Sequence, residues 1–384
     1  MGRILWVLMI SLSGLCGAEA QAKSNSSDLV RVRLMSSPQA IQIQGLNLRF
    51  QNLKNPYRPV AIPQNSRVEV RLMKKEEKHL WAVRLNNQEA EQLFADEYLV
   101  IQGEDLRVGA RSLPSRILLS EADGQQMDLV GVIPLEDYLV GVLASEMPLS
   151  WPMEALKAQA VAARSYALSV MRERKDKAFH LESSILDQVF RHTVVKDGSD
   201  PVHRAAQAVR ETRGVTLMDS QKKVLKAYFH SDCGGHTTTP QNVWQSGVNS
   251  GVAVDQSCPT NPKAQWTLTL ESEELGRRLK MSQIVDIQLI RKAGESRVMS
   301  VRVTALQNRT QTWTVNEFRR LLGFQELRSS LFEMKKLDQG FRFEGQGFGH
   351  GVGLCQWGSR HLGLKGYNYK QILQHYYPLA RLSY

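Results

Sequence analysis

The sequence has few cysteines, no long apolar run after its first residues and no internal repeat or low-complexity segment. Four cysteines in 384 residues are too few for a scaffold stabilised mainly by disulfides. A chain of this length can bury a substantial hydrophobic core without them. After residue 20, no stretch approaches the roughly 20 apolar residues of a membrane-spanning helix. These absences exclude disulfide-rich, repeat and membrane-spanning architectures for the mature chain. The length allows two domains, or one large domain with a smaller attachment.

Negative charge is also scarce. The chain has 38 acidic residues against 49 lysines and arginines, which gives a net charge of +11. An exported protein of this charge predicts an anionic partner, such as a cell-wall polymer or a membrane surface. Nucleic acid is disfavoured, because the basic residues are dispersed along the chain rather than clustered.

The first 20 residues have the pattern of a secretory signal peptide. Arg3 supplies the positive charge, residues 4–15 are mainly apolar, and Ala18 and Ala20 form a cleavage site before Gln21. Lipidation at Cys16 is disfavoured, because Leu15 stands where a small residue is expected. We therefore predict a signal peptide over residues 1–20 and a flexible leader over 21–28. Export to the periplasm or cell-wall space follows, with no stable membrane span after cleavage.

The remaining chain changes pattern near residue 125. Residues 29–124 alternate apolar and polar side chains in short runs, which predicts a β-rich N-terminal region. A helix is predicted from an N-cap at Ser150 to about Arg174, and a second from Asp200 and Pro201 to just before Gly214.

Further elements are predicted towards the C-terminus. They are a hairpin over residues 215–229, strands between 265 and 345, and a last helix capped by Asn368. The order predicts an α+β fold, a mixed β-rich region with a helical insertion that carries the catalytic motif. The catalytic region is assigned to residues 125–384.

Glu146 has the setting of a general acid. Small and apolar residues precede it, and the next charged residue is Glu154. Desolvation of a carboxyl raises its pKa, which is what a proton donor near neutral pH requires. The alternative is a partly exposed glutamate at the end of a helix. On the helix that follows, Lys157 and Arg164 lie on one side, as candidate contacts to a polar chain or as part of a solvated face.

Two further segments carry candidate chemistry. In HSDCGGHT (230–237), His230, Cys233 and His236, together with Cys258, have the residue types of a zinc site. A Cys233–Cys258 disulfide is the rival interpretation, favoured by export. The segment 345–358 has six glycines around His350, which suggests a loop that approaches a ligand closely, with His350 as a substrate contact or proton relay.

Together these segments resemble the SpoIID/LytB family, stage II sporulation protein D and the amidase enhancer LytB. The resemblance covers residues 125–384 and rests on four motifs in family order: residues 133–148, 156–166, 230–237 with 243–244, and 347–358 with 372–378. It implies a lytic transglycosylase that cleaves the MurNAc–GlcNAc β-1,4 bond of peptidoglycan and leaves 1,6-anhydro-MurNAc ends. Glu146 would be the single general acid/base.

The resemblance also implies what the enzyme would use and contact. Tyr166, His350 and Gln356 lie within the motifs and are predicted substrate contacts, besides Lys157 and Arg164. No cofactor is required, although some family members bind zinc near the Gly-Gly loop. The partners would be glycan strands and, in an alternative non-catalytic role, a cell-wall amidase that the protein activates.

Overall fold

The computed structural model describes residues 29–37, 40–52, 55–64, 66–75, 78–86, 91–94, 97–122, 126–193, 201–255, 261 and 264–384. The predicted signal peptide, the leader over 21–28 and Cys258 lie outside these residues. The strands are β1 (Leu29–Ser37), β2 (Ala40–Asn52), β3 (Asn55–Ala61), β4 (Val68–Lys75), β5 (Lys78–Leu85), β6 (Glu91–Phe94), β7 (Tyr98–Val108), β8 (Arg111–Ser112), β9 (Arg116–Ala122), β10 (Gln126–Pro134), β11 (Leu181–Glu182), β12 (Thr216–Met218), β13 (Phe229–His230), β14 (Gln265–Glu271), β15 (Ile284–Arg291), β16 (Val298–Ala305), β17 (Thr310–Thr314), β18 (Phe332–Leu337), β19 (Gly340–Gln346), β20 (Leu354–Cys355) and β21 (Arg381–Ser383). The helices are α1 (Leu135–Glu146), α2 (Met153–Glu173), α3 (Val202–Glu211), α4 (Pro240–Trp244), α5 (Ser272–Leu279), α6 (Val315–Leu322), α7 (Gln356–Leu364) and α8 (Tyr369–Tyr376). The α+β fold class is confirmed.

Strands β1 to β11 form one sheet in the order β11-β1-β10-β9-β7-β2-β4-β5-β6, with β3 and β8 paired at its sides. Its first strand shows why the sequence alternates. Val30, Val32 and Leu34 point into the core, while the residues between them are partly exposed. This sheet continues past residue 124, because β10 pairs with β9 and, on its other side, with β1. The sheet therefore includes strands from both the predicted β-rich region and the predicted catalytic region.

Helices α1 and α2 pack on this sheet, α3 packs on α1 and α2, and all three share the hydrophobic core of the sheet. Helix α2 is confirmed, but it begins at Met153 after Pro152, so Ser150 is not its cap. Ala160, Ala163 and Ala167 are fully buried along it, and small side chains of this kind let neighbouring elements approach closely. Helix α3 is also confirmed and begins at Val202, one residue later than predicted.

The predicted hairpin over residues 215–229 is present only around its turn. Met218 and Val224 form an antiparallel bridge, and the Leu225 N–H donates to the Leu217 carbonyl over 2.8 Å. The main strand pairing differs from the prediction, because β12 pairs with β21 at the C-terminus and β13 pairs in parallel with β20. The partners lie far along the chain, so the local pattern contained no sign of them.

Residues 265–346 form a compact module with a hydrophobic core of its own, which includes Phe318, Phe341 and Phe343. It contains two three-stranded sheets, β14-β19-β18 and β15-β16-β17, with α5 and α6. Its two ends meet, because Gln265 pairs with Gln346 and the Gly347 N–H donates to the Ala264 carbonyl over 2.7 Å. The module therefore begins and ends at neighbouring positions, beside residues 230–255.

The last helix, α8, begins as predicted. The Asn368 side chain accepts hydrogen bonds from the backbone N–H groups of Lys370 and Gln371, which makes it the N-cap. Within the described residues, no helix combines the length and apolarity that crossing a membrane requires.

Candidate active site

A cavity of about 240 Å³ opens where several separate parts of the chain meet. They are the end of α1, helix α2 at Tyr166, the irregular segment 185–189, the region of β13 and α4, residues 316–325 of the compact module, and the glycine-rich loop that precedes β20. The residues that line it and matter below are Glu146, Tyr166, Asp187, Val189, Tyr228, His230, Trp244 and His350. The cavity therefore brings together residues from all four motifs.

Glu146 is the last residue of α1, and its carboxylate faces this cavity. Oε1 accepts a hydrogen bond from the Val189 backbone N–H over 2.7 Å, and Oε2 accepts one from Gln356 Nε2 over 3.4 Å. Burial raises the pKa of Glu146, and these two hydrogen bonds, which favour the charged form, offset that rise only in part. The carboxyl therefore holds its proton to a higher pH than an ordinary glutamate does.

Asp187 is a second carboxylate in the cavity wall, but its oxygens are already engaged. Arg174 donates to both of them over 2.7 and 3.2 Å, and Tyr166 Oη donates over 3.0 Å. The Glu182 backbone N–H adds a fourth hydrogen bond. Asp187 thus forms an ion pair that holds Tyr166 in the wall. Burial, together with the negative charge of Asp187, raises the pKa of Tyr166 well above its usual range, so Tyr166 stays neutral.

One wall of the cavity is aromatic. The rings of Tyr228 and Trp244 stack with centroids 4.5 Å apart, and the Trp244 ring lies 5.0 Å from that of His350. Tyr166 meets Tyr228 edge-to-face at 5.7 Å. Aromatic side chains offer a large, rigid apolar surface, and such surfaces pack against the apolar faces of sugar rings.

His350 is held as a neutral imidazole. Its Nδ1 accepts a hydrogen bond from the Val352 backbone N–H over 3.0 Å, so the proton of the neutral ring lies on Nε2. Burial, together with His230, lowers the pKa of His350 well below its usual range, and a hydrogen bond to the Phe229 backbone opposes this only weakly. His350 therefore lines the cavity as a neutral ring and does not carry the charge of an imidazolium.

The glycines of the glycine-rich loop have two roles: they allow positive φ angles, and they leave room for neighbouring backbone that a side chain would clash with. At Gly349, with φ of +115°, an added Cβ would lie 2.7 Å from the Cβ of His230. At Gly353, with φ of +69°, it would lie 2.1 Å from the Tyr228 carbonyl oxygen. The loop thus approaches the β13 strand too closely for any side chain, as the density of glycine indicated.

We expect Gly353→Ala to destabilise the protein far more than Gly366→Ala. Both glycines have positive φ, +69° and +86°, but an added Cβ meets nothing within 4 Å at Gly366. The Gly366 variant therefore reports only backbone strain, of about 1–2 kcal/mol. The Gly353 variant adds a clash with backbone, so its melting temperature in thermal denaturation should fall well below that of the control. Equal melting temperatures would contradict the close approach.

Two predicted substrate contacts lie away from the cavity. Lys157 forms ion pairs with Glu154 and Glu211, both over 2.8 Å. Arg164 is 1% exposed and binds Glu136 through two hydrogen bonds, and it also donates to two backbone carbonyls. Neither cation lines the cavity. The structure thus gives them local partners within the helical part of the fold.

The predicted metal ligands separate in the structure. His230 and Cys233 lie together, but the third member of their cluster is Cys355, with all three ligand atoms within 4.8 Å of one another. His236 instead places Nε2 2.8 Å from Ser296 Oγ. Cys258, the fourth predicted ligand and the partner in the rival disulfide, lies outside the described residues.

The sequence analysis missed the segment 184–190. It has no regular secondary structure, yet it supplies Val189 and Asp187 to the site. Gln188 fixes it from behind, because its side chain is fully buried, accepts from Tyr138 Oη over 2.9 Å and donates to the Ala163 carbonyl. An Asp-Gln pair between apolar residues was the available signal, and it gave no indication of Glu146 as the partner.

Two parts of the chain match known family models. The family model described as "Stage II sporulation protein" matches residues 123–218, which include α1, α2 and α3. A model described only as a domain of unknown function matches residues 260–353, close to the bounds of the compact module. His230 and Gln356 lie outside both matches.

Several curated relatives extend over more of the chain. An uncharacterized protein of Brachyspira hyodysenteriae is 34% identical over 65% of this chain and 67% of its own length. Stage II sporulation protein D of Bacillus amyloliquefaciens is 30% identical over 65% of this chain and 74% of its own. The Amidase enhancer of Bacillus subtilis is 26% identical over 64% of this chain and 40% of its own. On these similarities, and on the four motifs that meet at the cavity, the chain belongs to the SpoIID/LytB family.

Proposed function

We propose that this protein is a peptidoglycan lytic transglycosylase, which cleaves the β-1,4 bond between MurNAc and GlcNAc in glycan strands. The observation that carries the proposal is Glu146, a carboxyl in the cavity wall whose pKa is raised by burial. Two hydrogen bonds orient it from outside the helix that bears it. A proton donor fixed in this way is what cleavage of a glycosidic bond requires.

The reaction needs one carboxyl in two successive roles. First, Glu146 gives its proton to the glycosidic oxygen, and the bond from that oxygen to the anomeric carbon of MurNAc breaks. The Glu146 carboxylate then takes the proton of the C6 hydroxyl of the same sugar, and the C6 oxygen bonds to the anomeric carbon. This closes the 1,6-anhydro ring, returns the proton to Glu146 and consumes no water.

The state of Asp187 favours this single-acid reaction over hydrolysis. Hydrolytic glycosidases use a second carboxylate as a base or a nucleophile. Asp187 is the other acidic residue that lines the cavity, and Arg174, Tyr166 and the Glu182 backbone occupy its oxygens. Both oxygens of Asp187 are thus bound within the protein rather than turned to an attacking water, and we assign Asp187 the role of positioning Tyr166.

The wider properties of the chain suit this substrate. A net charge of +11 favours an anionic polymer such as peptidoglycan. The signal-peptide pattern in residues 1–20 supports the proposal of a protein exported to the periplasm or cell-wall space, where this substrate lies. The reaction uses no cofactor, because the proton and the nucleophilic hydroxyl come from Glu146 and from the sugar itself.

We expect Trp244→Ala to weaken glycan binding about 10-fold, a loss of about 1.4 kcal/mol. The Trp244 ring forms part of the aromatic wall, between those of Tyr228 and His350. Binding of peptide-free glycan strands can be measured by calorimetry. Trp313→Ala is the matched control, since Trp313 lies in the compact module and not in the cavity wall. Equal losses in both variants would contradict a sugar-binding wall at Trp244.

The decisive experiment is product analysis. Purified protein is incubated with intact peptidoglycan and, separately, with peptide-stripped glycan strands, and the soluble fragments are analysed by mass spectrometry. Anhydro-MurNAc ends are expected, each lighter by one water than the hydrolytic product. Fragments with reducing MurNAc ends would instead show hydrolysis and overturn the proposal.

An activating role is the second candidate. The observation in its favour is the relative named Amidase enhancer, over 40% of whose length this chain aligns. In this case the purified protein would produce no fragments alone, and peptide release by an added cell-wall amidase would rise when it is present. Anhydro products from the protein alone would exclude a purely activating role.

A further inference from the structure

A second cavity, of about 870 Å³, lies on the face of the large sheet that is turned away from its hydrophobic core. Arg31 of β1 lines this cavity and stands between Val30 and Val32, which point into that core. Because side chains alternate along a strand, Arg31 lies on the opposite face. Residues between 168 and 180, from the end of α2 and the segment after it, form the other wall. We call this cavity the basic groove, and it shares no lining residue with the cavity at Glu146.

The floor of the basic groove is apolar and includes an aromatic ring. Val100 of β7 and Leu118 of β9 are paired directly across the sheet, and both are buried in a small hydrophobic cluster. Tyr98 lies two residues before Val100, on the same face, and also lines the groove. A floor of this kind can pack against the apolar face of a sugar ring, as the aromatic wall of the cavity at Glu146 can.

Five cations line the basic groove. Two come from strands and three from the end of α2 and the segment after it: Arg31, Arg116, Arg172, Lys175 and Lys177. Among the described residues, none of these five forms an ion pair. Asp176 in the wall and Glu97 beside Tyr98 are acidic, so positive charge exceeds negative charge in the groove.

The two arginines on the strands are held partly out of water. The Nε atoms of Arg31 and Arg116 are buried and have no hydrogen-bond partner within the described part of the chain. Arg31 Nη2 donates to the backbone carbonyls of Lys175 and Lys177 over 2.7 and 2.8 Å, which holds the segment after α2 against β1. These carbonyls accept hydrogen bonds but do not neutralise the charge. Partly desolvated guanidinium groups without a counter-ion are unfavourable, and an anion in the groove relieves that cost.

The cation at the helix end has a further explanation that the strand arginines lack. Arg172 lies in the last turn of α2, where the negative end of the helix dipole stabilises a positive charge. Arg31 and Arg116 are on strands, whose net dipoles are small. The case for an anionic ligand therefore depends mainly on these two arginines.

The chemistry of the groove selects among possible occupants. The predicted leader, residues 21–28, precedes Leu29 in the groove wall, but its one lysine and one aspartate give it no net charge. A bilayer presents a flat surface, whereas the groove is concave. A polymer of sugars that carries carboxylates matches both the apolar floor and the cations around it. Peptidoglycan strands are such a polymer, because each muramic acid carries a lactyl carboxyl group.

We propose that the basic groove is a second binding site for peptidoglycan strands, separate from the site of cleavage. Carboxylates of the strand bind the cations, and a sugar ring packs on the floor at Tyr98. The identity of the polymer rests on the proposed function, but binding in the groove does not depend on cleavage. One segment connects the two sites, since Arg174 donates both to the His180 carbonyl in the groove wall and to Asp187 in the wall of the cavity at Glu146.

The test compares two charge-reversed variants of the full mature chain, both made with Glu146→Gln so that strands are not cut. The groove variant carries Lys175→Glu and Lys177→Glu. Both side chains are exposed, and the segment contacts Arg31 through backbone carbonyls, which these changes leave in place. The matched control carries Lys222→Glu and Lys223→Glu, which are exposed and line neither cavity.

Affinity for peptide-free glycan strands is measured by calorimetry at low salt. We expect the groove variant to bind about 10-fold more weakly than the control, because two exposed attractions become repulsions. Strands whose carboxyl groups have been converted to neutral amides should bind both variants equally. Equal affinity of the two variants for untreated strands would overturn the proposal, as would an unchanged difference on the amidated strands.

Further arms test the other occupants. A difference between the variants on vesicles of phosphatidylglycerol and phosphatidylcholine in equal parts, with none on strands, would assign the groove to a membrane and overturn the proposal. A difference on strands that appears only after deletion of residues 21–28 would make the leader the occupant and would also overturn it.

Cleavage is measured separately, in versions of both variants that keep Glu146. Short soluble glycan fragments should be cleaved at the same rate by both, since neither pair of lysines lines the cavity at Glu146. A selective loss of this cleavage in the groove variant would show that the groove is part of the active site and overturn the proposal of a separate site. Binding through the groove without cleavage by any version would refute the proposed function and still support the second site.

Discussion

Glu146→Gln removes glycan cleavage while the protein still folds and binds glycan strands. Glutamine keeps the shape of the side chain and can still accept the hydrogen bond from Val189, but it has no proton to give to the glycosidic oxygen. General acid–base catalysis commonly contributes about 10²–10⁴-fold to a rate, and here one residue serves in both roles. We expect the rate of anhydro-MurNAc formation to fall by at least about 10³-fold, measured by mass spectrometry at equal protein concentration.

The matched control is Asp137→Asn, on the same helix. Burial also raises the pKa of Asp137, so the two acids share a helix and a direction of pKa shift. Asp137 does not line the cavity, and its replacement should leave the rate within about 2-fold of the wild type. Equal product from Glu146→Gln and the wild type would remove Glu146 from the mechanism.

The same carboxyl predicts the pH dependence of the rate and of stability. The donor must be protonated, so the rate should fall as the pH rises through the raised pKa of Glu146. For stability, this pKa is higher in the folded than in the unfolded protein. Its contribution to stability is therefore fully present below the unfolded pKa and is lost as the pH rises through the folded pKa. Glu146→Gln should accordingly raise the melting temperature at neutral pH relative to the wild type, with a smaller difference at low pH.

The second large effect concerns Arg164. Its side chain is 1% exposed and binds Glu136 through two hydrogen bonds of 2.9 and 2.7 Å. It also donates to the carbonyls of Val209 and Val215, which joins α2 to the end of α3 and the start of β12. Arg164→Met leaves these acceptors without their donor. Removal of one partner from a buried ion pair costs about 3–5 kcal/mol, and we expect a loss of unfolding free energy of this size in urea denaturation.

Lys157→Met is the matched control for this variant. Lys157 lies seven residues earlier on the same helix, and its partners Glu154 and Glu211 are 32% and 38% exposed. Ion pairs that reach solvent contribute about 1 kcal/mol or less, so this variant should lose little stability. Glycan affinity per folded molecule should be unchanged in both. A large loss of affinity with unchanged stability would instead support the substrate contacts that the sequence suggested.

Local patterns predicted the elements of this fold well. Alternation at Val30, Val32 and Leu34 identified a strand, and the side chain of Asn368 identified the start of α8, because both signals depend on residues close in sequence. The pairing of β12 with β21 was missed, since nothing near residue 216 indicates a partner near residue 382. Similarly, the N-cap of α2 was expected at Ser150, but the helix begins at Met153, after Pro152.

The candidate site shows the same division. The sequence singled out Glu146, His350 and the glycine-rich loop, because each has an unusual local composition. It also suggested Lys157 and Arg164, whose spacing on a helix is visible in sequence but whose ion-pair partners are not. Val189 and Asp187 were missed, because their importance comes from their distance to Glu146 and Tyr166, not from their neighbours along the chain.

The sequence by itself determined the family, the class of the fold and the acid on which the proposed chemistry depends. Each of these follows from residue types at fixed spacing along the chain. Only the tertiary structure decided which groups act on one another. It showed that Glu146 is bound by Gln356, 210 residues away, that Arg164 lies in the core, and that Cys355 joins His230 and Cys233. The physical reason is that hydrogen bonds and burial depend on distances of a few ångströms, and the fold sets these distances by bringing together segments that are far apart along the chain.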